Sequence, residues 1–350
     1  MTTTATNPDL GEEFRSDGGV ISRLQLLLHR YPYLSPLTVL IVAMAIFTLL
    51  NERFILATNL SLMSQQAVIV GTLAIAQTLI ILTAGIDLSI GAIMVFGQMV
   101  MANLAVSASA SNVQFAWGWP WWAALAAGVL IAVLAGAFNG YLITQFRLPP
   151  FIVTLGTLSV FTALSLIIFK ARTIQGPELP AGLKAMGEAT SVGPFRLMAG
   201  VGMMLVLYAL FAYILRSTAW GTHVYAVGDD REAAELSGIN TRRVLFGVYA
   251  VAGLIIGIAG WITIGRVGSA SPNVAPNINL DTITAVVIGG TSLFGGRGTM
   301  IGTLLGALIV VVVENGLALA GLDQAYRVLA VGLLVIAAVA LDQWIREVQA

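Results

Sequence analysis

The sequence predicts an all-α integral membrane protein of about ten transmembrane segments, several of them short or broken, arranged as two loosely related halves. Composition points there first: 58% of the 350 residues are hydrophobic and 10% charged, where a soluble globular domain carries about 25% charged residues. The mean hydropathy is +0.90. Apolar runs close to the ~20 residues that a spanning helix needs recur along the chain, and two of them are interrupted by glycine-rich polar breaks. The 17 basic and 17 acidic residues cancel, so no large basic surface for nucleic acid is implied. With no cysteine in the chain, disulfides, thiol catalysis and Cys-ligated metals are excluded.

Residues 1–33 are polar, with Glu12, Glu13, Arg15, Arg23 and Arg30, and lack the apolar core and small-residue cleavage site of a signal peptide. They read as a tail that stays in the mature protein. A single membrane domain is expected over 34–345, with a short tail at 346–350. Its first segments run over about 36–50, 62–84 and 89–106, the last two separated only by Gly85-Ile86-Asp87-Leu88. The loop 115–122 holds Trp117, Trp119, Trp121 and Trp122, amphipathic rings suited to the headgroup level.

The fourth segment ends near 143. Arg147, Pro149 and Pro150 break the chain before a fifth at 151–169, and a polar loop, 170–196, precedes a sixth at 197–215. After a long polar passage, 216–243, a seventh segment covers 244–264. The loop 266–281, rich in Pro, Asn and Ser, follows. The stretch 282–290 is too short for a regular span. Segments at 299–319 and 327–341 finish the chain.

Within the polar passage, Asp229 and Asp230 can accept hydrogen bonds from the first free N–H groups of a helix. Arg231 to Leu236 are mostly good helix formers, and Gly238 suits the left-handed position just past a helix end. A capped helix of this length is not stable alone. It packs either against a soluble partner or, as a plain connector, against its own chain. Ten crossings put this passage, with Arg216, Arg231, Arg242 and Arg243, on the same side as Arg147 and both tails. They put the Lys- and Arg-free tryptophan loop on the other. The excess of Lys and Arg makes the first side cytoplasmic, with the 170–196 loop, carrying Lys170, Arg172, Lys184 and Arg196, as the exception.

A carboxylate facing lipid at mid-helix costs about 2.5 to 3.5 kcal/mol, so Asp87 must turn inward. Two roles remain open: an N-cap for the third segment near Ser89 and Ile90, or a polar turn lining a water-filled path. The second break, Gly289 to Gly298, must likewise rest on protein or water. It contains Thr291, Ser292 and Phe294. Each break is followed by an Asn-Gly, Asn139-Gly140 and Asn315-Gly316, within an apolar run, which hints at related halves. Asn139, Glu314 and Asn315 are then polar groups turned into the bundle, for packing bonds or for a substrate. The pairs Gly136/Gly140 and Gly302/Gly306 have the spacing that lets helices approach closely.

Gly290 to Gly295 has the opening spacing of a phosphate-binding loop, but Gly296-Arg297 stands where Lys-Ser or Lys-Thr is required. No ATP site is encoded, and His29 and His223 form no zinc-binding pattern. A transport protein fed by an external energy source is the reading left standing. An ion-driven secondary transporter is its rival, with Asp87 and Glu314 as the obvious buried carboxylates.

Four motifs then carry a resemblance: Ala84-Gly85-Ile86-Asp87-Leu88-Ser89-Ile90-Gly91; Leu148-Pro149-Pro150-Phe151-Ile152-Val153-Thr154-Leu155-Gly156-Thr157; Ala226-Val227-Gly228 with Glu232-Ala233-Ala234-Glu235-Leu236-Ser237-Gly238-Ile239; and Ala285-Val286-Val287-Ile288-Gly289-Gly290-Thr291-Ser292-Leu293-Phe294-Gly295-Gly296. In this order, over about 35–345, the chain resembles the membrane permease of bacterial ABC sugar importers of the ribose, xylose, arabinose and fructose type. One departure is the doubled Pro149-Pro150, where the pattern has one. The resemblance implies a multi-pass protein of the bacterial inner membrane, without an enzymatic activity of its own, that imports a monosaccharide. Related permeases carry other small solutes, such as nucleosides, branched-chain amino acids or signalling sugars. Implied partners are a cytoplasmic ATPase that holds ATP and magnesium, a periplasmic or lipid-anchored sugar-binding protein, and a second permease, giving a homodimer. No cofactor is expected on this chain. A coupling helix at about 229–238 is implied, with Asp230, Arg231, Glu232, Ala233, Ala234 and Gly238 meeting the ATPase. Asp87, Ser89, Asn139, Thr154, Thr291, Ser292 and Phe294 are the expected lining of the translocation path.

Overall fold

A computed structural model describes residues 33–107, 115–274 and 277–347. Of the two expected tails, residues 1–32 and 348–350 lie outside the described residues.

Helix α1 (Leu34–Leu50) ends at Asn51, whose side chain accepts the Arg53 N–H to start a 3-10 turn, Glu52–Ile55. Helix α2 (Ala57–Leu82) follows and begins five residues earlier than expected, because the 3-10 turn delivers the chain directly into it. Helices α3 (Ile90–Ala105), α4 (Trp121–Gln145) and α5 (Pro150–Phe169) keep the expected bounds to within two residues. Pro149 and Pro150 open α5, where a missing N–H costs nothing because the first turn has no acceptor for it. Helix α10 (Thr241–Val267) ends on Gly268 at φ 72°. The short stretch near 282 is α11 (Ile278–Ile288), and α12 (Met300–Leu319) starts where the Thr299 hydroxyl accepts the Gly302 N–H. Helix α13 (Gln324–Glu347) is the last described element.

The stretch 170–198 departs from the all-α expectation. Beyond a short helix, α6 (Ala181–Lys184), it forms an antiparallel hairpin of β1 (Ala189–Val192) and β2 (Phe195–Met198), with Val192 opposite Phe195 across Gly193-Pro194. Helix α7 (Ala199–Ser217) returns from it. Among the described residues, six helices are long and apolar enough to cross a membrane, with four shorter apolar ones beside them.

Helices α2 and α10 form the centre, with α10 laid along α4 and against α2 and α3. Both expected glycine pairs serve close approach. A methyl on Gly136 would come within 2.3 Å of the Tyr249 carbonyl oxygen, and one on Gly306 within 1.9 Å of that of Ala285. Polar bonds tie α2 to α12 and to α7: Thr78 to Thr303 at 2.7 Å, Asn59 to Asn315 at 2.9 Å, and the Tyr208 hydroxyl to the Gly71 carbonyl at 2.9 Å.

Candidate coupling helix and intramembrane polar breaks

The polar passage folds as two helices rather than one. Thr218 caps the first, α8 (Ala219–Asp229), by accepting the Gly221 N–H. The sequence reading missed α8, because its mix of Gly, Thr and His sums to weak helix propensity; the Thr-x-x-Gly cap was its one local signal. Asp229 closes α8. Asp230 alone caps the second helix, α9 (Arg231–Leu236), accepting the N–H groups of Glu232 at 2.9 Å and Ala233 at 3.0 Å. At the far end, Gly238 takes φ 85°, which lets its own N–H reach the Glu235 carbonyl and the Ile239 N–H reach that of Ala234.

Asp230, Arg231, Glu232, Ala233 and Gly238 are exposed. Ala234 is not: it is buried against its own chain and seats α9 on the bundle instead of offering itself outward. Leu236, absent from the expected set, is 90% exposed. No periodicity in a six-residue helix could show which way that leucine points. Glu235 accepts a hydrogen bond from the Thr241 hydroxyl and pairs with Arg231 at 3.6 Å. The Thr241 hydroxyl first, and the Arg231 charge after it, hold the Glu235 carboxyl below its ordinary range.

The first break is a buried polar cluster. Asp87 accepts the N–H and the hydroxyl of Ser89, both at 2.6 Å, and Asn139 of α4 donates to the Ser89 hydroxyl at 2.9 Å. Thr154 of α5 donates to the Ile86 carbonyl at 3.1 Å, and Asn279 of α11 accepts the Gly91 N–H at 2.7 Å. Asp87, Ser89, Asn139 and Thr154 are thus brought together, all buried. Asp87 closes a turn on Ser89, two residues ahead, whereas the N-cap of α3 is Ser89 itself with no side-chain cap bond, so the expected N-cap role of Asp87 is not the one the structure shows. Tyr249 of α10 is a further member that sequence reasoning missed. Its buried hydroxyl faces Gly85 and has no hydrogen-bond partner among the described residues; only the fold brings residue 249 to residue 85.

Thr291, Ser292 and Phe294 belong to the second break. Thr291 and Ser292 are buried, and Ser292 accepts the Phe294 N–H at 3.1 Å, whereas the Phe294 ring is 58% exposed. This break rests on the end of α2, where the Gly296 N–H donates to the Leu82 carbonyl at 3.0 Å. It also rests on α8, whose Tyr225 hydroxyl donates to the Gly298 carbonyl at 2.8 Å.

Residues 59–339 match the family model described as branched-chain amino acid transport system / permease component. A fructose import permease protein of Rhizobium meliloti is 44% identical over 338 residues, covering 95% of this chain and 91% of the relative. A ribose import permease protein of Bacillus subtilis is 35% identical, covering 89% and 92% of the two chains. A D-allose transport system permease protein of Escherichia coli is 31% identical, covering 88% and 91%. No solved structure matches the chain. By family model and by full-length likeness alike, the chain belongs to the branched-chain amino acid transport system permease family, among its ABC import permeases for sugars.

Proposed function

We propose that this chain is the transmembrane permease of an ATP-binding cassette importer, passing a monosaccharide of the fructose or ribose kind into the cytoplasm on the power of separate ATPase subunits. The observation that carries the reading is α9: a helix capped at both ends, five of its six residues exposed and its last a solvent-facing leucine, standing out of an apolar bundle. Such a helix suits a groove on a soluble partner. The substrate class follows from the full-length likeness to fructose and ribose import permeases.

In this reading the ten apolar helices make ten crossings of the bacterial inner membrane, with both termini and α9 cytoplasmic. Asp230, Arg231, Glu232, Ala233, Leu236 and Gly238 meet the ATPase, which holds ATP and magnesium. This chain carries no nucleotide site or cofactor of its own. A sugar-binding protein delivers the substrate from outside, and a second copy of the chain completes the path, which includes Asp87, Ser89, Asn139, Thr154, Thr291, Ser292 and Phe294. The family description favours one second reading, a branched-chain amino acid as cargo.

The test is to tag the chain, extract it from its host in mild detergent and identify the proteins that accompany it, then measure uptake of labelled D-fructose, D-ribose and L-leucine by host cells with and without the gene. An accompanying ATPase and gene-dependent sugar uptake support the proposal. A chain that arrives alone in several detergents refutes the ATP-driven part, and uptake of leucine alone refutes the sugar.

A further inference from the structure

We infer that Gly228 is the positioning residue through which movement of α9 reaches both intramembrane breaks, an inference that rests on the ATP-driven reading above. Gly228 lies two residues before the cap of α9, and no side chain separates it from its neighbours. A methyl group on it would stand 1.7 Å from the Leu82 carbonyl oxygen and 2.7 Å from the Gly296 nitrogen, two atoms already bonded to each other at 3.0 Å. The contact is reciprocal. A methyl on Gly295 would meet the Gly228 carbonyl at 2.5 Å and the Ala84 nitrogen at 2.9 Å, and one on Gly296 would meet the Asp229 Cα at 2.8 Å.

The end of α2, the elbow between α8 and α9, and the second break therefore touch backbone to backbone at one point. Side-chain contacts can absorb a shift of an ångström by changing rotamer, whereas close-packed backbone cannot. Three residues beyond Ala84 is Asp87, and three before Gly295 is Ser292, so a push on Gly228 displaces both breaks together. Ala84 itself sits at φ 58°, a left-handed conformation that a residue with a Cβ adopts at some cost in strain. Tyr225, one turn back along α8, fastens the elbow to the second break a second time through Gly298.

The experiment uses the complete importer, the permease with the ATPase and binding protein encoded beside it, in proteoliposomes with labelled D-fructose and D-ribose as probes. Gly228→Ala is expected to hold the ATPase yet to lower the maximal uptake rate per bound ATPase about tenfold, equivalent to about 1.4 kcal/mol of barrier, with the KM for the probe unchanged. A defect in packing alone would instead lower the amount of assembled complex and leave the rate per complex intact, which overturns the inference, as does wild-type uptake by the variant. Should Gly228→Ala fail to assemble, Tyr225→Phe decides, since it removes only a hydroxyl: a lowered maximal rate at full assembly supports the relay, and a wild-type rate overturns it. A wild-type complex without ATP-driven uptake refutes the transport reading itself and the inference with it.

Discussion

Leu236→Ala separates a docking residue from a folding residue. In the isolated chain the leucine is 90% exposed, so its truncation removes almost no intramolecular contact and should change stability by less than about 0.5 kcal/mol. In a groove on the ATPase the same side chain would leave water. Leucine and alanine differ by three carbon groups at about 0.8 kcal/mol each, about 2.4 kcal/mol in all. At about 1.4 kcal/mol per tenfold, that is a loss of about 50-fold in affinity. The assay titrates purified ATPase onto wild-type and variant permease held in nanodiscs, with thermal unfolding of the permease measured alongside. The expected outcome is an unchanged Tm with strongly weakened docking. An unchanged affinity would refute the assignment of Leu236 to the interface, and a Tm that falls in step with affinity would place its role inside the fold.

Asp230→Ala leaves the N–H groups of Glu232 and Ala233 without their acceptor; the loss of about 1 kcal/mol should appear as faster amide exchange across 231–236, with the bundle unaffected. Because the Glu235 carboxyl is held below its ordinary range, its contribution to the α9 turn is present above the unfolded value of about 4.3 and is lost as pH falls through the lower folded value. Amide protection at Ile239 should accordingly stay level from neutral pH to the ordinary carboxylate range and drop only below it, and Glu235→Gln should abolish that drop. Asp87→Ala strands the Ser89 N–H and hydroxyl at a cost of about 1.5 to 3 kcal/mol. Uptake per inserted molecule is expected to fall further than the amount inserted, with Asp87→Asn, which keeps an acceptor oxygen, falling less; equal losses would assign Asp87 to the fold alone.

The long apolar helices are legible in the sequence because the bilayer fixes their length, and bounds such as those of α3 and α12 agree within two residues. Their arrangement is not. Helices α2 and α5 read alike as apolar runs, yet the best spanning window of α2 is 89% buried and that of α5 only 22%. Lipid accepts the same side chains as a protein core does, so hydrophobicity cannot tell centre from rim. The caps were legible where the chemistry is local, as with Asp230 and Gly238. The hairpin 189–198 went unread because four-residue strands of mixed polarity carry no clear alternation. Tyr249 and Asn279 were invisible as site members for a different reason: both reach the first break from more than 150 residues away.

The polar groups of the first break also constrain how a sugar could pass. Ser89, Thr154 and Asp87 already hold their bonds within the chain and Asn139 holds one through its amide N–H, while the Asn139 side-chain oxygen and the Tyr249 hydroxyl have no partner among the described residues; polar contacts between membrane helices contribute only about 0.6 kcal/mol on average. A hydroxyl-rich solute entering this region would exchange most such bonds for similar ones and would gain new ones only at the Asn139 oxygen and the Tyr249 hydroxyl. The net gain is then small whichever sugar enters, which suits a passage that must release what it receives. In the proposed importer, selectivity falls to the binding protein that delivers the sugar, and the permease contributes the timing of the opening. That division of labour places the demand for precision on the contact at Gly228, where the two breaks and the elbow meet.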